Sequence, residues 1–482
     1  TGVEPYFKGT WIYDKWTEPT YPVLRLNFLD LDKYSLEHFK QKLNAIISSF
    51  ARDINVKNYE EKVEPEDTIY FLLDELRKEK RQIVILIDEY DCQMTANINN
   101  ETLYKQFQEK IKSFYATIKN KWPIKFLGIT GVTRLKDVEI FSIGSDINDI
   151  TNDSVYSQMI GFTRDEIKKY YIDYLTLAAS YENKCRVEEV TDTQIESMLD
   201  MMAQNYDGYC FDEFYKKKVF STWSVNKFFQ SVVSNKFVYF GEYWYDNGGL
   251  PSILVNYLKT HELNIFEYLD KDKFLKVSSD DFKNPTALTT INQNVLMCQT
   301  GYLTLRSDLN KTSTVALGIP NGEIYKALNR LLANNIFKGN TDITDDYGRS
   351  LLEVGTVDDI INLFNSALNS VSYDNYPIVS ESSVQNMLKL YLLGAHQKVL
   401  SEVHEAKGRA DLVVNTDNRR IVFEFKYAKN ETEAKSKLLD AVEQIKTRDY
   451  GNIVPKKTEL LRIAAVFNAD PKVRAFTEYQ KV

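Results

Sequence analysis

Residues 408–426 have the sequence GRADLVVNTDNRRIVFEFK, in which two apolar runs flank the turn 416–418. This pattern predicts an antiparallel hairpin. Because side chains alternate along a strand, Glu424 and Lys426 are expected on one face and the two neighbouring phenylalanines on the other. Asp411, near the start of the first strand, is then expected roughly opposite them. The hairpin is therefore expected to bring together two carboxylates and an amine.

These three side chains suit phosphodiester hydrolysis. Carboxylate oxygens bind Mg²⁺ or Mn²⁺, which neutralises a phosphate and lowers the pKa of a bound water. Lys426 can then orient that water or help to deprotonate it. Glu402, on the preceding strand, is predicted to join Asp411 and Glu424 as a metal ligand. Gln444, on the following helix, is predicted to face the same cleft as a catalytic residue.

An ordinary surface hairpin is the alternative interpretation. Charged residues are common on the exposed face of antiparallel strands, and a D…ExK spacing also arises by chance. Against this alternative, Glu424 and Lys426 interrupt the otherwise apolar run IVFEF. A buried charge in such a strand is costly unless a partner group or a metal ion compensates it.

The hairpin lies within a longer series of predicted elements. The periodicity of apolar residues predicts a helix at 381–394, strands at 398–404, 410–415 and 420–427, a helix at 431–447 and a strand at 460–467. The stretch 339–350 is polar and contains glycine, which favours a linker or an inserted loop. We therefore predict a carboxy-terminal α/β domain over residues 346–482.

The chain before this domain divides into two further predicted domains. In residues 1–162 strands alternate with helices, which predicts a parallel sheet wrapped by helices. The predicted strands are 22–28, 82–87 and 124–132, and the predicted helices are 35–53, 66–79 and 102–119. The run QIVILI at 82–87 is typical of a strand that is buried on both faces. Residues 163–345 are predicted to form a mainly helical middle domain.

Several motifs, taken in order, resemble one known class of protein. GRADLVV, IVFEFK and AVEQIK are similar to motifs of the PD-(D/E)xK nuclease superfamily. Nearly the whole chain resembles bacterial proteins that join a P-loop, AAA-ATPase-like domain to a carboxy-terminal nuclease-like domain. The middle-region motifs that carry this likeness are NYDGYCF (205–211), TWSVNKFF (222–229), YWYDNGG (243–249), QTGYLTL (299–305) and IPNGEI (319–324). The resemblance implies that Asp411, Glu424 and Lys426 are the D…ExK triad, with Ala410 in place of the superfamily's proline.

The run IVILIDEYD, residues 83–91, resembles a Walker B motif. In a working ATPase Asp88 would hold the Mg²⁺ shell and Glu89 would position the attacking water, whereas acidic turn residues at a strand end are the ordinary alternative. Arg134, after the next strand, is a further predicted nucleotide contact, although a strand-end role is equally consistent with its position.

The sequence contains no GxxxxGK[ST] motif, so we expect no efficient ATP hydrolysis from this chain. Two explanations stay open: truncation has removed an upstream phosphate loop, or the natural protein has dispensed with it. ATP is therefore an expected cofactor only if the parent protein has such a loop.

Composition and charge narrow the class of protein. The 482 residues carry a net charge of −8, but the stretch from Glu381 onward has 18 basic and 14 acidic residues, which gives +4 there and leaves −12 for the rest. Nucleic acid is therefore expected at the carboxy-terminal domain. The four cysteines form no CxxC pair, and no run of about 18 apolar residues occurs. These features predict a cytoplasmic protein that does not enter a membrane.

The motifs support three hypotheses of different classes. The first is a Mg²⁺-dependent endonuclease acting on DNA, in which the ATPase-like and helical domains control access or self-association. The second is a nucleotide-dependent switch whose regulated output is the nuclease domain. The third is a nuclease-derived scaffold, such as a toxin or effector, that binds nucleic acid or a host protein without cleaving. The D…ExK hairpin favours the first hypothesis.

Overall fold

The computed structural model gives the path of most of the chain together with its side chains. The described residues are 7–13, 15–119, 121–134, 147–246, 252–258, 261, 265–285, 288–337, 347–395, 397–405, 408–450 and 459–482. The strands are β1 (Val23–Asn27), β2 (Ile83–Asp88), β3 (Ile124–Ile129), β4 (Leu275–Ser278), β5 (Thr304–Leu305), β6 (Thr314–Gly318), β7 (Lys398–Glu405), β8 (Gly408–Asn415), β9 (Arg419–Ala428), β10 (Glu459–Asn468) and β11 (Ala475–Lys481).

The helices are distributed over all three regions of the chain. They are α1 (Leu36–Asp53), α2 (Pro65–Lys78), α3 (Cys92–Ala96), α4 (Glu101–Ile118), α5 (Arg164–Tyr170), α6 (Ile172–Asn183), α7 (Asp192–Tyr206), α8 (Thr222–Asn235), α9 (Tyr243–Asp246), α10 (Ser252–Leu258), α11 (Ser279–Lys283), α12 (Gln293–Gln299), α13 (Gly322–Ile336), α14 (Tyr347–Val354), α15 (Val357–Asn369), α16 (Glu381–Gly394) and α17 (Glu431–Arg448).

The amino-terminal sheet is parallel and has the strand order β1-β2-β3. Leu24 of β1 and Ile85 of β2 are buried and share one hydrophobic core with Phe39 of α1 and Phe107 of α4. The apolar faces of amphipathic helices thus cover this side of the sheet. The prediction of a parallel sheet packed against helices is confirmed.

The prediction that residues 82–87 are buried on both faces is wrong. Ile83, Ile85 and Ile87 are buried, whereas Leu86 and Asp88, which point the other way, are exposed. The physical reason is that α1, α2 and α4 contribute their apolar side chains to the isoleucine side of the sheet. Within the described residues the opposite side stays partly open to solvent.

The middle region is mainly helical, as predicted, and its helices begin where the sequence supplies capping residues. Thr163 and Glu166, for example, form a reciprocal capping box at the start of α5. The prediction missed a small antiparallel sheet with the order β4-β6-β5, whose strands have only two to five residues. Such short strands give the two-residue period too few positions to be recognised.

The carboxy-terminal region contains a five-stranded mixed sheet with the order β11-β10-β9-β8-β7. Strands β7, β8 and β9 form an antiparallel meander, and α17 connects β9 to its parallel neighbour β10. The meander, both helices and β10 were predicted within two residues of their observed bounds. Strand β11, which pairs antiparallel with β10, was not predicted.

The two faces of this sheet are covered by different helices. On one face Phe423 packs against Phe364 of α15, with ring centroids 5.3 Å apart. On the other face Val422 is buried together with Ala441 and Ile445 of α17. Glu424 follows Phe423 and therefore lies on the α17 side of β9. The predicted domain limits at 162 and 345 stay predictions, because one hydrophobic core runs from β1 through α13 to α16.

Candidate metal centre

Three carboxylates converge in the carboxy-terminal region. Glu381 is the first residue of α16, Asp411 lies in β8 and Glu424 lies in β9. One oxygen atom of each carboxylate lies within 4.8 Å of one oxygen atom of the other two. Among the described residues, these are the three side chains whose potential ligand atoms lie close enough together to share one metal ion. The hairpin thus supplies two of the three carboxylates and a helix start supplies the third.

Glu424 is fully buried, and its two carboxylate oxygens have different surroundings. Its Oε1 atom accepts a hydrogen bond from the Lys426 ammonium at 2.9 Å. Its Oε2 atom is buried and has no hydrogen-bond partner among the described residues. Burial, with the nearby charges of Asp411 and Glu381, raises the pKa of Glu424 to about 7. A buried oxygen without a donor, beside two further carboxylates, fits a divalent cation.

Lys426 is the cation that the structure places in this cluster. Its ammonium donates to Glu424 at 2.9 Å and to Glu381 at 3.1 Å. Burial alone would lower the pKa of Lys426, but the bond to Glu424 and the charge of Glu381 outweigh that effect, so the pKa is raised. The side chain therefore carries a positive charge beside the carboxylates at neutral pH.

Asp411 is held in place by the hairpin itself. The backbone N–H of Phe425 donates to Asp411 Oδ2 at 2.8 Å, across the pair in which Leu412 lies opposite Phe423. From α16, the side-chain amide of Gln385 donates to the backbone carbonyl of Asp411. The first bond orients the carboxylate relative to β9, and the second joins the backbone of Asp411 to α16.

Glu381 was not predicted as a site residue. The sequence indicated a helix that begins there, and Ser380 caps it by accepting a hydrogen bond from the Ser383 N–H. However, 30 residues separate Glu381 from Asp411, and no spacing rule connects a helix start to a hairpin. The sequence signal for Glu381 was its acidic side chain in the first turn of a helix. This signal is weak, because acidic residues are common there for their favourable interaction with the helix dipole.

Gln444, on α17, bonds to Tyr450 and not to the three carboxylates. Its side-chain amide donates to the Tyr450 hydroxyl at 3.2 Å, and the Arg448 guanidinium donates to the same hydroxyl at 2.9 Å. The hydrogen bond to the Tyr450 hydroxyl is the largest cause that raises the pKa of Arg448, and the charges of Glu424 and Asp411 raise this pKa further. Arg448 and Tyr450, which sequence reasoning missed, thus border the metal centre.

The predicted ligand Glu402 lies in β7, next to the strand that carries Asp411. Its side chain is outside the described part of the structure. The assignment of Glu402 as a ligand therefore stays a prediction.

The Walker B-like residues lie at the end of β2. Asp88 is exposed and accepts hydrogen bonds from the Thr130 hydroxyl and, at 3.1 Å, from the Glu89 N–H. Glu89 has a left-handed backbone with φ +55°. Burial raises the pKa of Glu89, and so do the charges of Asp91 and Asp88. The third predicted nucleotide contact, Arg134, forms an ion pair with Asp149.

Asp91 is the carboxylate in this region that sequence reasoning overlooked. It is completely buried and accepts hydrogen bonds from the N–H groups of Val132 and Thr133, at 3.1 and 2.6 Å, and from the Thr133 hydroxyl. Burial nevertheless raises its pKa. These bonds join the turn after β2 to the segment after β3, so Asp91 has a structural role in holding the two strand ends together.

Both ends of the chain match known protein families. Residues 1–141 match the family of predicted AAA-ATPases, and residues 379–476 match the PD-(D/E)XK nuclease superfamily. Over 487 aligned residues the chain is 22% identical to an "Uncharacterized protein in vnfD 5'region" of Azotobacter chroococcum mcd 1, covering 98% of this chain and 86% of that protein. No helix in the described residues is long and apolar enough to span a membrane. The chain therefore joins an AAA-ATPase-like region to a domain of the PD-(D/E)XK nuclease superfamily, the architecture that its motifs predicted.

Proposed function

We propose that the carboxy-terminal domain is a nuclease that depends on Mg²⁺ or Mn²⁺ and cleaves DNA. The observation that carries this proposal is the buried Oε2 atom of Glu424, which has no hydrogen-bond partner in the described structure and lies within the carboxylate cluster. Leaving such an atom unpaired costs about 1–3 kcal/mol, more for a charged group. A cation at this position would compensate that cost and the repulsion from Asp411 and Glu381.

The residues divide the chemical work between them. Glu381, Asp411 and Glu424 would hold the cation through oxygen atoms, the ligands that Mg²⁺ and Mn²⁺ prefer. The bound cation supplies Lewis acidity and lowers the pKa of water. Lys426 supplies a fixed positive charge that can orient the attacking water and stabilise negative charge on the phosphate. The Phe425 N–H keeps the Asp411 carboxylate oriented.

The choice of a nucleic acid substrate is supported by charge as well as by the superfamily. The stretch from Glu381 onward carries +4 in a chain whose net charge is −8. Arg448 is exposed beside the cluster and can bind a phosphate of the substrate. The preference for DNA over RNA is part of the proposal and is tested together with it.

Regulation by the ATPase-like and middle regions is the second part of the proposal. Helix α13 begins in the IPNGEI motif and packs along α16, and Phe337, just after α13, meets Tyr391 of α16 with ring centroids 5.2 Å apart. Because α16 begins with Glu381, a displacement of α13 would move one of the three carboxylates. A change in the upstream regions can therefore reach the metal centre through a packed helix pair.

A cleavage assay on the intact chain tests the proposal. Supercoiled DNA, single-stranded DNA and RNA are incubated with Mg²⁺ or Mn²⁺, and the intact protein is compared with Glu424→Gln. The matched control is Asp417→Asn, since Asp417 lies in the turn of the same hairpin and its side chain is 76% exposed. We expect the intact protein and the control to cleave DNA, and Glu424→Gln to lose about 10³-fold in rate. Folded intact protein that cleaves none of the substrates would overturn the proposal.

A further inference from the structure

An exposed loop of the middle region carries aromatic rings and lysines side by side. Residues 211–218 have the sequence FDEFYKKK and connect the NYDGYCF motif to the bridge at Val219. Phe211 and Phe214 are 36% and 40% exposed, and the three consecutive lysines are exposed as well. The Lys216 ammonium lies over the Phe214 ring at 5.5 Å, and the Lys218 ammonium lies over the Tyr215 ring at 5.0 Å.

The loop is held in one conformation by a buried carboxylate. Asp212 is almost completely buried and accepts hydrogen bonds from the backbone N–H groups of Phe214, Lys216 and Lys217, at 3.0, 2.9 and 3.0 Å. Tyr215, between them, has a left-handed backbone with φ +56°. The rings and ammonium groups are therefore presented by a preorganised backbone, which lowers the entropic cost of binding a ligand.

A second exposed segment lies against this loop. The Glu213 N–H donates to the Asn152 carbonyl at 3.0 Å, and the Lys217 ammonium donates to the Ser154 carbonyl at 2.9 Å. The segment that follows exposes Tyr156, Met159 and Ile160. Together, Tyr156, Phe211, Phe214, Lys216 and Lys218 define what we call the aromatic–lysine surface.

Large exposed apolar side chains that cluster on one surface mark a binding site more often than isolated ones do. Aromatic rings next to Lys216 and Lys218 have the chemistry of a site for single-stranded nucleic acid, in which rings stack on bases and ammonium groups contact phosphates. An acidic protein offers no stacked bases to the rings, and an anionic lipid surface, to which rings and lysines can also bind, is an outcome of the test. The chain before Glu381 has a net charge of −12, so these lysines form a local positive region within an acidic part of the protein. A polyanion would bind preferentially to such a region.

We propose that the aromatic–lysine surface binds single-stranded nucleic acid and holds it for the nuclease domain. The choice of this ligand rests on the proposed function, since a nuclease on the same chain makes nucleic acid the polyanion that the chain must meet. Duplex DNA does not expose its base faces, so the surface discriminates against it. The surface would therefore favour substrates with unpaired ends or gaps.

Binding of a fluorescein-labelled 20-nucleotide oligothymidylate to the full chain in EDTA tests this proposal separately from cleavage. The test variants are Phe214→Ala and the double variant Lys216→Ala with Lys218→Ala. The matched control is Lys169→Ala with Tyr170→Ala, because Lys169 lies over the Tyr170 ring at 4.8 Å on α5, in another exposed pair. Loss of one stacking ring is expected to weaken binding about tenfold, and loss of two lysines is expected to lower the slope of log affinity against log salt by about 2.

Each outcome of this experiment either supports or overturns the proposal that the aromatic–lysine surface binds single-stranded nucleic acid. Weaker binding by both variants, with the control within about twofold and unchanged thermal unfolding, supports it. Three results would overturn it. The first is unchanged oligothymidylate binding by Phe214→Ala, and the second is equal affinity of the intact protein for duplex DNA. The third is variants that bind oligothymidylate normally and lose affinity only for poly-glutamate or for phosphatidylglycerol vesicles. If the surface binds oligothymidylate but the protein cleaves no substrate, the proposed nuclease function is refuted and the binding surface is not. If the protein cleaves DNA and neither variant weakens cleavage, the binding surface is refuted and the nuclease function is not.

Discussion

Two acidic sites at opposite ends of this chain satisfy their carboxylates in different ways. At the end of β2, Asp91 is buried but accepts three hydrogen bonds, and Asp88 is bonded to the Thr130 hydroxyl. In the carboxy-terminal hairpin, Glu424 is equally buried, yet one of its oxygens has no donor in the described structure. Both buried oxygens of Asp91 are satisfied by the protein, and one buried oxygen of Glu424 is not.

The difference shows which feature of an acidic motif predicts metal binding. Both sites combine apolar strands with acidic residues: Asp88 and Asp91 lie at and just after the end of β2, whereas Asp411 and Glu424 lie within β8 and β9. What separates them is the number of unused hydrogen-bond positions on buried oxygens, because a buried and unsatisfied carboxylate must either take up a proton or be compensated by a cation. Four predictions follow from this comparison, ordered by decreasing effect.

Lys426→Met should lower the rate of DNA cleavage about 10³-fold, within the range for loss of a group that assists proton transfer or charge stabilisation. Because the three carboxylates remain, the variant should still bind Mn²⁺. Single-turnover cleavage and Mn²⁺ titration of the same preparation measure the two effects. Lys429→Met, at an exposed position near the end of β9, is the control and should behave as the intact protein. A Lys426 variant that cleaves at the full rate would remove the lysine from the mechanism.

Asp91→Asn should destabilise the amino-terminal region by about 3 kcal/mol, because the NH2 group of the amide replaces one of the two acceptor oxygens, faces the donors of the pocket and leaves at least one of them unpaired. Asp88→Asn should change the free energy of unfolding by less than about 1 kcal/mol, since Asp88 is exposed. Urea denaturation of both variants gives the comparison. Equal destabilisation would contradict the structural role assigned to Asp91.

A third buried carboxylate, Glu323, lies between these two cases. It accepts hydrogen bonds from the Ser224 hydroxyl at 2.7 Å and the Trp244 N–H at 2.8 Å. Burial raises its pKa from 4.5 to about 7. The folded state therefore binds the proton more tightly, so its contribution to stability is complete below pH 4.5 and is lost as the pH rises through about 7.

Glu323→Gln should remove this pH dependence. Between pH 4.5 and 7 the free energy of unfolding of the intact protein should fall by as much as about 3 kcal/mol relative to the variant. Denaturant midpoints measured across this range check the prediction. Glu443→Gln, at an exposed position on α17, should leave the pH profile as it is. Parallel profiles for the intact protein and Glu323→Gln would show that the carboxylate does not titrate in this window.

Arg448→Ala should raise KM for DNA about tenfold and leave kcat nearly unchanged, because the guanidinium lies beside the carboxylate cluster and is expected to contact a substrate phosphate. Steady-state cleavage kinetics separate the two parameters. Lys446→Ala, two residues earlier on α17 and also exposed, controls for general loss of positive charge. A lower kcat with unchanged KM would place Arg448 in the chemical step instead.

The sequence was sufficient for the hairpin because strand alternation and turn chemistry are local rules. Glu424 and Lys426 do share a face, and Asp411 does lie across from them. Glu381 could not be found in this way, because its position depends on how α16 packs against the sheet. The unpaired oxygen of Glu424 and the three donors to Asp91 are also tertiary facts, which no pattern along the chain encodes.

Strand β11 and the open face of the amino-terminal sheet were missed for related reasons. In β11 most side chains are partly or fully exposed, so apolar and polar positions hardly alternate. In β2 the apolar run was continuous, and the sequence alone did not show that the helices of the described residues cover the isoleucine side and leave Leu86 exposed. The apolar composition of a strand sets an upper limit on how many of its side chains are buried. The neighbouring elements decide how many actually are.

Calorimetric titration of Mn²⁺ into the intact protein, Glu424→Gln and Asp88→Asn, without nucleotide, distinguishes the two acidic sites. We expect one Mn²⁺ site in the intact protein and in Asp88→Asn, and a loss of affinity of about 100-fold or more in Glu424→Gln. Unchanged Mn²⁺ affinity in Glu424→Gln, or loss of the site in Asp88→Asn, would contradict the claim that the unsatisfied carboxylate of the hairpin is the metal centre.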